Sequence, residues 1–460
     1  MKWCFSVKRN MKGYTGGYFF VMKRIHIIQP SYYRSKERKS IARLSSRKLV
    51  SLALPYLASL TPDDWEVTVT DELLEDVDFD APTDLVAITT WTLTSLRAYD
   101  IAQEFRKRGK LVIMGGPHVF FHTTEAMSYA DAIAIGEGEY VWGRMLEDAA
   151  AGRLQPIYHA DKLHDLKNLP FPRYDVLKMN RYGRIKTFAV QTSRGCPFKC
   201  DFCSERLYLG EGFRYRPVED VVEEIKRCKG RYFLFADSNF GGDRVHAMEL
   251  MEALIPLKIR WSALWSLYLC KDEAFMDLAC RSGLLHLNLG MESINPESLR
   301  LMNKKQNKVD EYRQILTGLR KRGISYSLNL IFGLDGENMQ MFDATVDFLK
   351  KYKAPVAYFN ILTPHKGTPF YDRMMKENRI LNPEDIGRWP GERCYIKPTC
   401  CSPEELEEHV KKLYRSFYNL PSMFSRLPAP ITEASLASWF MNMSQWLNSR
   451  KPDFEDFGDF

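Results

Sequence analysis

Three cysteines, Cys196, Cys200 and Cys203, stand as C-x3-C-x2-C in the segment QTSRGCPFKCDFCS (191–204), directly after a strand-like run. Three thiolates on one short loop suit three irons of a [4Fe–4S] cluster, because the cluster is compact and its irons prefer soft sulfur ligands. The fourth iron then lacks a cysteine and stays open. An electron carrier normally has four protein ligands, so an open iron points to chemistry. A structural zinc site needs four ligands and often pairs two C-x2-C motifs. Here one such pair is present, and His122 and the Cys400–Cys401 pair are too remote in sequence to complete a familiar finger. Three free core thiols are the other reading, but three within eight residues of loop would be an unusual core.

The elements that must position this loop are legible around it. From residue 186 six apolar runs alternate with helical segments: TFAVQTS (187–193), RYFLFAD (231–237), IRWSALW (259–265), LLHLNLG (284–290), SYSLNLIFG (325–333) and VAYFNILTP (356–364). The helices between them fall at 217–229, 244–255, 296–303, 308–322 and 339–352. Six strand–helix units predict a partial β/α barrel over 186–380, with its polar groups on the rim at the strand ends. Residues 22–160 alternate in the same way, with strands at 23–30, 65–73, 84–91, 110–116 and 130–139 and helical spacing at 48–60 and 95–109. This predicts a separate flavodoxin-like (Rossmann-type) parallel sheet whose ligand lies beyond the strand ends. Residues 161–185 carry prolines and little periodicity and read as a linker. Residues 381–460 read as a small helical C-terminal domain, in which Ser402 and Glu405 form a capping pair. Residues 1–21 read as an N-terminal extension, since Met22 precedes the first clean strand.

At 460 residues, 45% hydrophobic and 27% charged, the chain is globular and long enough for two or three domains. The net charge of +7 is mild and no Lys/Arg block appears, which argues against nucleic acid as a partner. No apolar run reaches membrane-spanning length and the first residues lack a signal core. Clustered cysteines without a secretory signal point to a cytoplasmic protein using thiols for metal or redox work.

The cysteine segment resembles the signature of the radical S-adenosylmethionine (SAM) superfamily. The resemblance implies that the open iron chelates the amino and carboxylate groups of SAM. The reduced cluster then cleaves SAM to methionine and a 5′-deoxyadenosyl radical, which abstracts hydrogen from a substrate. It also implies roles for particular residues. Phe202, just before the last cysteine, would lie against adenine. Asp237 and Asn239 in FADSNF (235–240) would approach the SAM amino group. Glu292 in GMESINPESLRLMNK (290–304) would approach the ribose. LIFGLDGE (330–337) and ILTPHKGTPFYDRM (361–374) match the ends of the fifth and sixth strands. Read without the resemblance, a glycine-rich strand end is a simple turn and Glu292 is a helix-start acid.

The first sheet resembles the cobalamin-binding domain that precedes the barrel in one subgroup of that superfamily, whose members include class B methylases. The cofactor's nucleotide tail would lie beside Thr89 and Trp91 after the third strand, Gly115 and Gly116 after the fourth, and Gly136 and Gly138 after the fifth. Glycine admits a bulky ligand close to backbone. The loop after the first strand, QPSYYR (29–34), has no histidine, which excludes a cobalt-ligating histidine there. His118 is a weaker candidate and more simply a packing residue. A vestigial domain without cofactor is the alternative.

Taken together, the resemblance implies cobalamin-dependent methylation of an unactivated carbon in a lipid, tetrapyrrole or natural product, with electrons from an external flavodoxin- or ferredoxin-type donor. A radical SAM cyclase, rearrangement or carbon–carbon coupling enzyme is the first alternative, and a non-enzymatic iron–sulfur electron carrier the second. Cys394, Cys400 and Cys401 are spaced poorly for a second cubane and read as plain thiols. Trp261, Trp265, Tyr268, Tyr358 and Phe359 line either an apolar substrate pocket or the core. The segment 435–449 is amphipathic enough for peripheral membrane contact, for a partner surface or for ordinary helix packing.

Overall fold

The computed structural model describes residues 23–428 and 431–451; the expected extension 1–21 lies outside them. Among the described residues fifteen strands occur in chain order: β1 Lys23–Gln29, β2 Arg47–Val50, β3 Trp65–Asp71, β4 Leu85–Thr89, β5 Leu111–Gly115, β6 Ala132–Ile135, β7 Ile157–His159, β8 Tyr182–Val190, β9 Ser193–Arg194, β10 Arg214–Tyr215, β11 Tyr232–Phe235, β12 Arg260–Trp265, β13 Leu284–Glu292, β14 Ser325–Phe332 and β15 Val356–Ile361.

The first sheet runs β3-β1-β4-β5-β6-β7 with every pair parallel. Its strands are continuous apolar runs, such as Ile25, Ile27 and Ile28 in β1 and Leu85–Ile88 in β4, all buried. That is what helices on both faces require. With β2 set aside, the order is flavodoxin-like, and the switch point falls between β1 and β4. The helix Ser95–Lys107 packs Ile101, Ala102 and Phe105 inward, and the chain turns away at Gly109, whose φ is +72°.

The second sheet runs β15-β14-β13-β12-β11-β8-β2, again all parallel. Six of its strands are the expected partial barrel. The seventh is a correction. Residues 48–60 were expected to be one helical stretch, yet Arg47–Val50 is a strand and only Ala53–Leu60 is helical. Leu49 and Val50 pair with Thr187 and Phe188 of β8, so a segment from the first αβ unit closes the barrel's edge. Covering that edge satisfies backbone groups that would otherwise invite another chain. The expected linker is also shorter than 161–185, because β8 begins at Tyr182.

The expected C-terminal helices are present. Leu406, Val410, Leu413, Tyr414 and Phe417, on the inner side of the helix Pro403–Phe417, are buried in a core cluster that also takes in the barrel strands and the first sheet. The expected capping pair is present: the Ser402 side chain accepts from the Glu405 amide, and the Glu405 carboxylate accepts from the Ser402 amide. Trp261 and Phe359 are fully buried and Tyr358 nearly so, which makes them core, whereas Trp265, equally buried, also borders a cavity. Among the described residues no helix is long and apolar enough to cross a membrane.

Candidate functional site

The thiol loop leaves the end of β8 and is held by Asp237, the residue two past the end of β11. One Asp237 oxygen accepts from the Thr192 and Ser193 amides at 2.7 and 3.1 Å. The other accepts from both hydroxyls, at 2.9 Å from Ser193 and closer still from Thr192. A carboxylate has about four lone-pair positions, and four donors occupy them here. Burial pushes this carboxyl up while the four donors pull it down. Asp237 therefore positions the loop and has no oxygen to spare for an ammonium group. The sequence places it at this strand end, and it also borders the thiol-lined cavity.

Cys196, Cys200 and Cys203 line one cavity of about 340 Å³ together with Phe198, Phe202, Asn239, Glu292 and Lys304. Cys200 is buried and the other two are partly open to the cavity. Burial pushes the Cys196 thiol up and the Cys203 thiol up to about 11. Lys304 Nζ lies 2.7 Å from Glu292 Oε1 and 5.7 Å from the Phe202 ring centre. Burial would lower the lysine, but Glu292 and the neighbouring sulfurs hold it above its ordinary value. Glu292 sits at a β13 bulge with φ +64°. A Cβ on Gly290 would come 2.4 Å from the Glu292 carboxylate and 3.2 Å from Lys304 Nζ, so a larger residue there would push the flexible ends of this pair aside.

Asn239 is buried, and its Oδ1 accepts from the Ser266 amide at 3.0 Å, which fixes the side-chain orientation. Its Nδ2 has no partner. An orphaned buried donor facing this cavity suits a carboxylate, not the amino group expected from sequence. Three thiols on one loop, a free amide donor and an aromatic face fit a cluster with a bound amino-acid nucleotide. No spacing or periodicity in the sequence singles out Lys304, which follows a turn at Asn303.

A second cavity of about 340 Å³ shares Phe202 and Glu292 with the first. Its further walls come from the end of β15 (Asn360, Thr363) and from Trp389, Arg393 and Tyr395 of the C-terminal segment. Tyr395 is 7% exposed, its hydroxyl meets no hydrogen-bond partner at bonding distance, and burial pushes it up to about 12. Glu392 Oε2 accepts from the Ile361 amide at 2.5 Å and ties this segment to the rim.

Glu337, at the end of LIFGLDGE, accepts from Ser293 Oγ at 2.9 Å and the Leu334 amide at 3.2 Å. Burial nevertheless raises its carboxyl to about 8. The folded chain thus binds this proton more tightly than the unfolded chain, so its contribution to stability falls as pH rises from the unfolded value toward 8. Because the group is only half-buried, solvent trims the effect to about 1–2 kcal/mol. Glu337→Gln is expected to remove that part of the slope. Denaturant midpoints at pH 5.5 and 8 for both proteins check it, and equal slopes would refute it.

At the first sheet, Thr89 ends β4 and Trp91 stands 58% exposed at the switch point. The Thr90 hydroxyl between them is buried without a partner. Gly116, φ +104°, packs against the Thr90 backbone: a Cβ there would lie 2.8 Å from its carbonyl oxygen. The space beside Gly115 and Gly136 is taken by Ala134 of β6 and by Ala160 just after β7, whereas Gly138 faces open space. His118 has both ring nitrogens engaged, at 2.9 Å to the Tyr99 hydroxyl and 3.2 Å to the Thr92 hydroxyl. It is a packing residue. The orphaned Thr90 hydroxyl, exposed Trp91 and open Gly138 fit a large ligand at the switch point. Cys394 donates to the Ile396 carbonyl, and the Cys400 and Cys401 sulfurs contact each other at 3.4 Å.

Residues 190–349 match the description "Radical SAM superfamily". The chain is 29% identical over 432 residues, 91% of its length and 93% of the relative's, to bacteriochlorophyllide d C-12(1)-methyltransferase of Chlorobaculum tepidum. Its fold is similar to that of the radical SAM methyltransferase TsrM of Kitasatospora setae, solved with tryptophan and a SAM analogue: TM-score 0.65, 20% identity, 94% of this chain and 89% of that one. It is also similar in fold to the cobalamin-dependent SAM radical enzyme OxsB, solved with aqua-cobalamin and SAM: TM-score 0.67, 13% identity, 94% and 72%.

Proposed function

Since residues 190–349 of this chain are a radical SAM domain, we propose that the protein is a cobalamin-dependent methyltransferase acting on an unactivated carbon of a tetrapyrrole or natural product. The observation that carries this reading is the pair of adjoining cavities. One is lined by three thiols, the other by none, and Phe202 and Glu292 form their common wall. Such a pair suits a reaction in which a nucleotide and a second organic molecule must meet. The 29% identity to a bacteriochlorophyllide methyltransferase over nearly the whole chain supports a tetrapyrrole.

Cys196, Cys200 and Cys203 would hold the cluster. The crevice beyond β1 and β4, with Thr89, Trp91 and Gly138, would hold cobalamin. When bound, the cluster supplies the electron for reductive cleavage of SAM and cobalamin supplies a transferable methyl group. The protein's part is positioning. Asp237 fixes the thiol loop, Asn239 Nδ2 offers a donor to the SAM carboxylate, and the Glu292–Lys304 pair sets the charge beside Phe202. Trp389 and Tyr395 close the second cavity against water. On this reading residues 22–160 are the cobalamin domain and the barrel runs from β8, at Tyr182, to about residue 380, with β2 shared between them. An external flavodoxin- or ferredoxin-type donor supplies electrons, and the free thiols suit the cytoplasm.

The test is anaerobic reconstitution with iron, sulfide and hydroxocobalamin, followed by turnover of bacteriochlorophyllide d with SAM and a reductant. The expected product gains one CH2, with S-adenosylhomocysteine and 5′-deoxyadenosine both formed. Formation of 5′-deoxyadenosine alone, across a panel of chlorins and natural products, would refute methyl transfer.

A further inference from the structure

The helix Glu433–Asn448 packs with its polar face inward. Its buried residues include Ser435, Ser438 and Asn442, while Leu436, Phe440, Met443 and Leu447 are exposed at 55, 71, 40 and 53%. The buried face is fixed by specific bonds. Ser438 Oγ lies 2.8 Å from Ser325 Oγ, which lies 2.8 Å from His286 Nδ1. Asn442 donates to the Pro355 carbonyl at 2.8 Å and accepts from the buried Arg426 at 3.2 Å. Glu433 receives Arg231, Tyr232 and Arg260. These partners stand at or just before the starts of β11, β12, β14 and β15. The helix therefore closes the end of the barrel opposite the thiols, and rotating it would orphan several buried polar groups.

The exposed residues recur at intervals of four, three and four, one continuous helical stripe of the kind that packs against another helix. Phe424 and Leu420, 63% and 44% exposed, extend it, the Phe424 ring lying 5.1 Å from Trp439. Side chains of this size and exposure present on the order of 600 Å² of apolar surface. That is at the upper limit for a monomer's largest patch. With a polar rim it reaches the roughly 800 Å² per partner of a standard interface.

We propose that this face is the interface with a second copy of the chain, the two stripes packing antiparallel across a two-fold axis. Such an isologous contact is self-complementary and closed. It leaves both thiol-bearing rims facing away from the contact. A membrane is the poorer occupant. Surface-bound helices carry Lys and Arg on a solvated polar face. This helix itself has neither residue and its polar face is buried; the cations near the stripe are Lys48, 4.6 Å from the Phe440 ring centre, and Arg450 and Lys451 beyond the helix end, and residues 452–460 after them include four acids, unfavourable near anionic lipid.

Sedimentation of the full-length, cluster-loaded chain is expected to give twice the 53.5 kDa chain mass. Phe440→Glu with Leu447→Glu is expected to weaken the dimer by about 100-fold or more with unchanged circular dichroism and iron content. Met443→Cys, near the stripe's middle, should cross-link to itself under mild oxidation, as mapped by mass spectrometry, which keeps the idea testable if the glutamates disturb folding. A wild-type monomer at micromolar concentration overturns the proposal. So does flotation of wild type, but not of the glutamate variant, with phosphatidylglycerol vesicles. A chain that dimerises only after deletion of 452–460 overturns it as well, since the tail would then be the occupant.

Discussion

Cys196→Ala, Cys200→Ala or Cys203→Ala, each alone, is expected to strip most iron from the reconstituted protein. Reductive formation of 5′-deoxyadenosine should fall by about 1000-fold or more. The three sulfurs share one cavity, so two remaining thiols leave the cubane with two unsupported irons rather than one. The loop itself should survive the change. Its anchor is Asp237 on Thr192 and Ser193, upstream of every thiol. Iron and sulfide content, the visible charge-transfer absorbance and 5′-deoxyadenosine release measure the outcome. Retention of all three in any single variant would show that the three sulfurs do not act as one ligand set.

The thiols, the six barrel strands and the first parallel sheet were legible because each rests on local pattern. Apolar runs stopped by glycine mark parallel strands, and clustered cysteines announce themselves by spacing. What escaped the sequence depends on distant chain. Arg47–Val50 is only four residues, runs on almost directly into a helix, and becomes a strand because β8, more than 130 residues later, offers an open edge. Trp389, Arg393 and Tyr395 reach the second cavity from a segment that sequence order places outside the barrel. Asp237 and Asn239 were found as residues, but which atoms remain free is a matter of geometry: one carboxylate is saturated, and one amide lacks a partner. The C-terminal helix was legible as amphipathic, whereas the direction of its apolar face was set by the polar floor of the barrel.

That same dependence on distant chain makes Glu137 the residue whose loss should most unsettle the fold. It follows β6 of the first sheet and is 4% exposed. Its carboxylate accepts from Arg194 at 3.0 Å, from Arg214 at 2.8 and 2.9 Å, and from the His164 amide at 2.5 Å. Arg194 also donates to Glu139 at 2.6 Å, and Tyr56 donates to the same oxygen at 2.8 Å. Burial alone would lower the Arg194 guanidinium, but Glu139 and Glu137 hold it above its ordinary value. Glu139 is correspondingly held below its own by Arg194, against the pull of burial. Removing Glu137 leaves the buried Arg194 with Glu139 alone and the half-buried Arg214 with only the His164 and Leu209 carbonyls. The expected cost of Glu137→Ala is about 3–5 kcal/mol, with less for Glu137→Gln, which keeps an acceptor. Arg194 is two residues before Cys196, so the variant should also lose iron faster on dialysis although it touches no thiol. Denaturant unfolding and iron retention, compared for Ala and Gln, separate the two effects. A destabilisation below about 1 kcal/mol would mean that solvent screens this cluster, and the first sheet would then not help to hold the thiol loop.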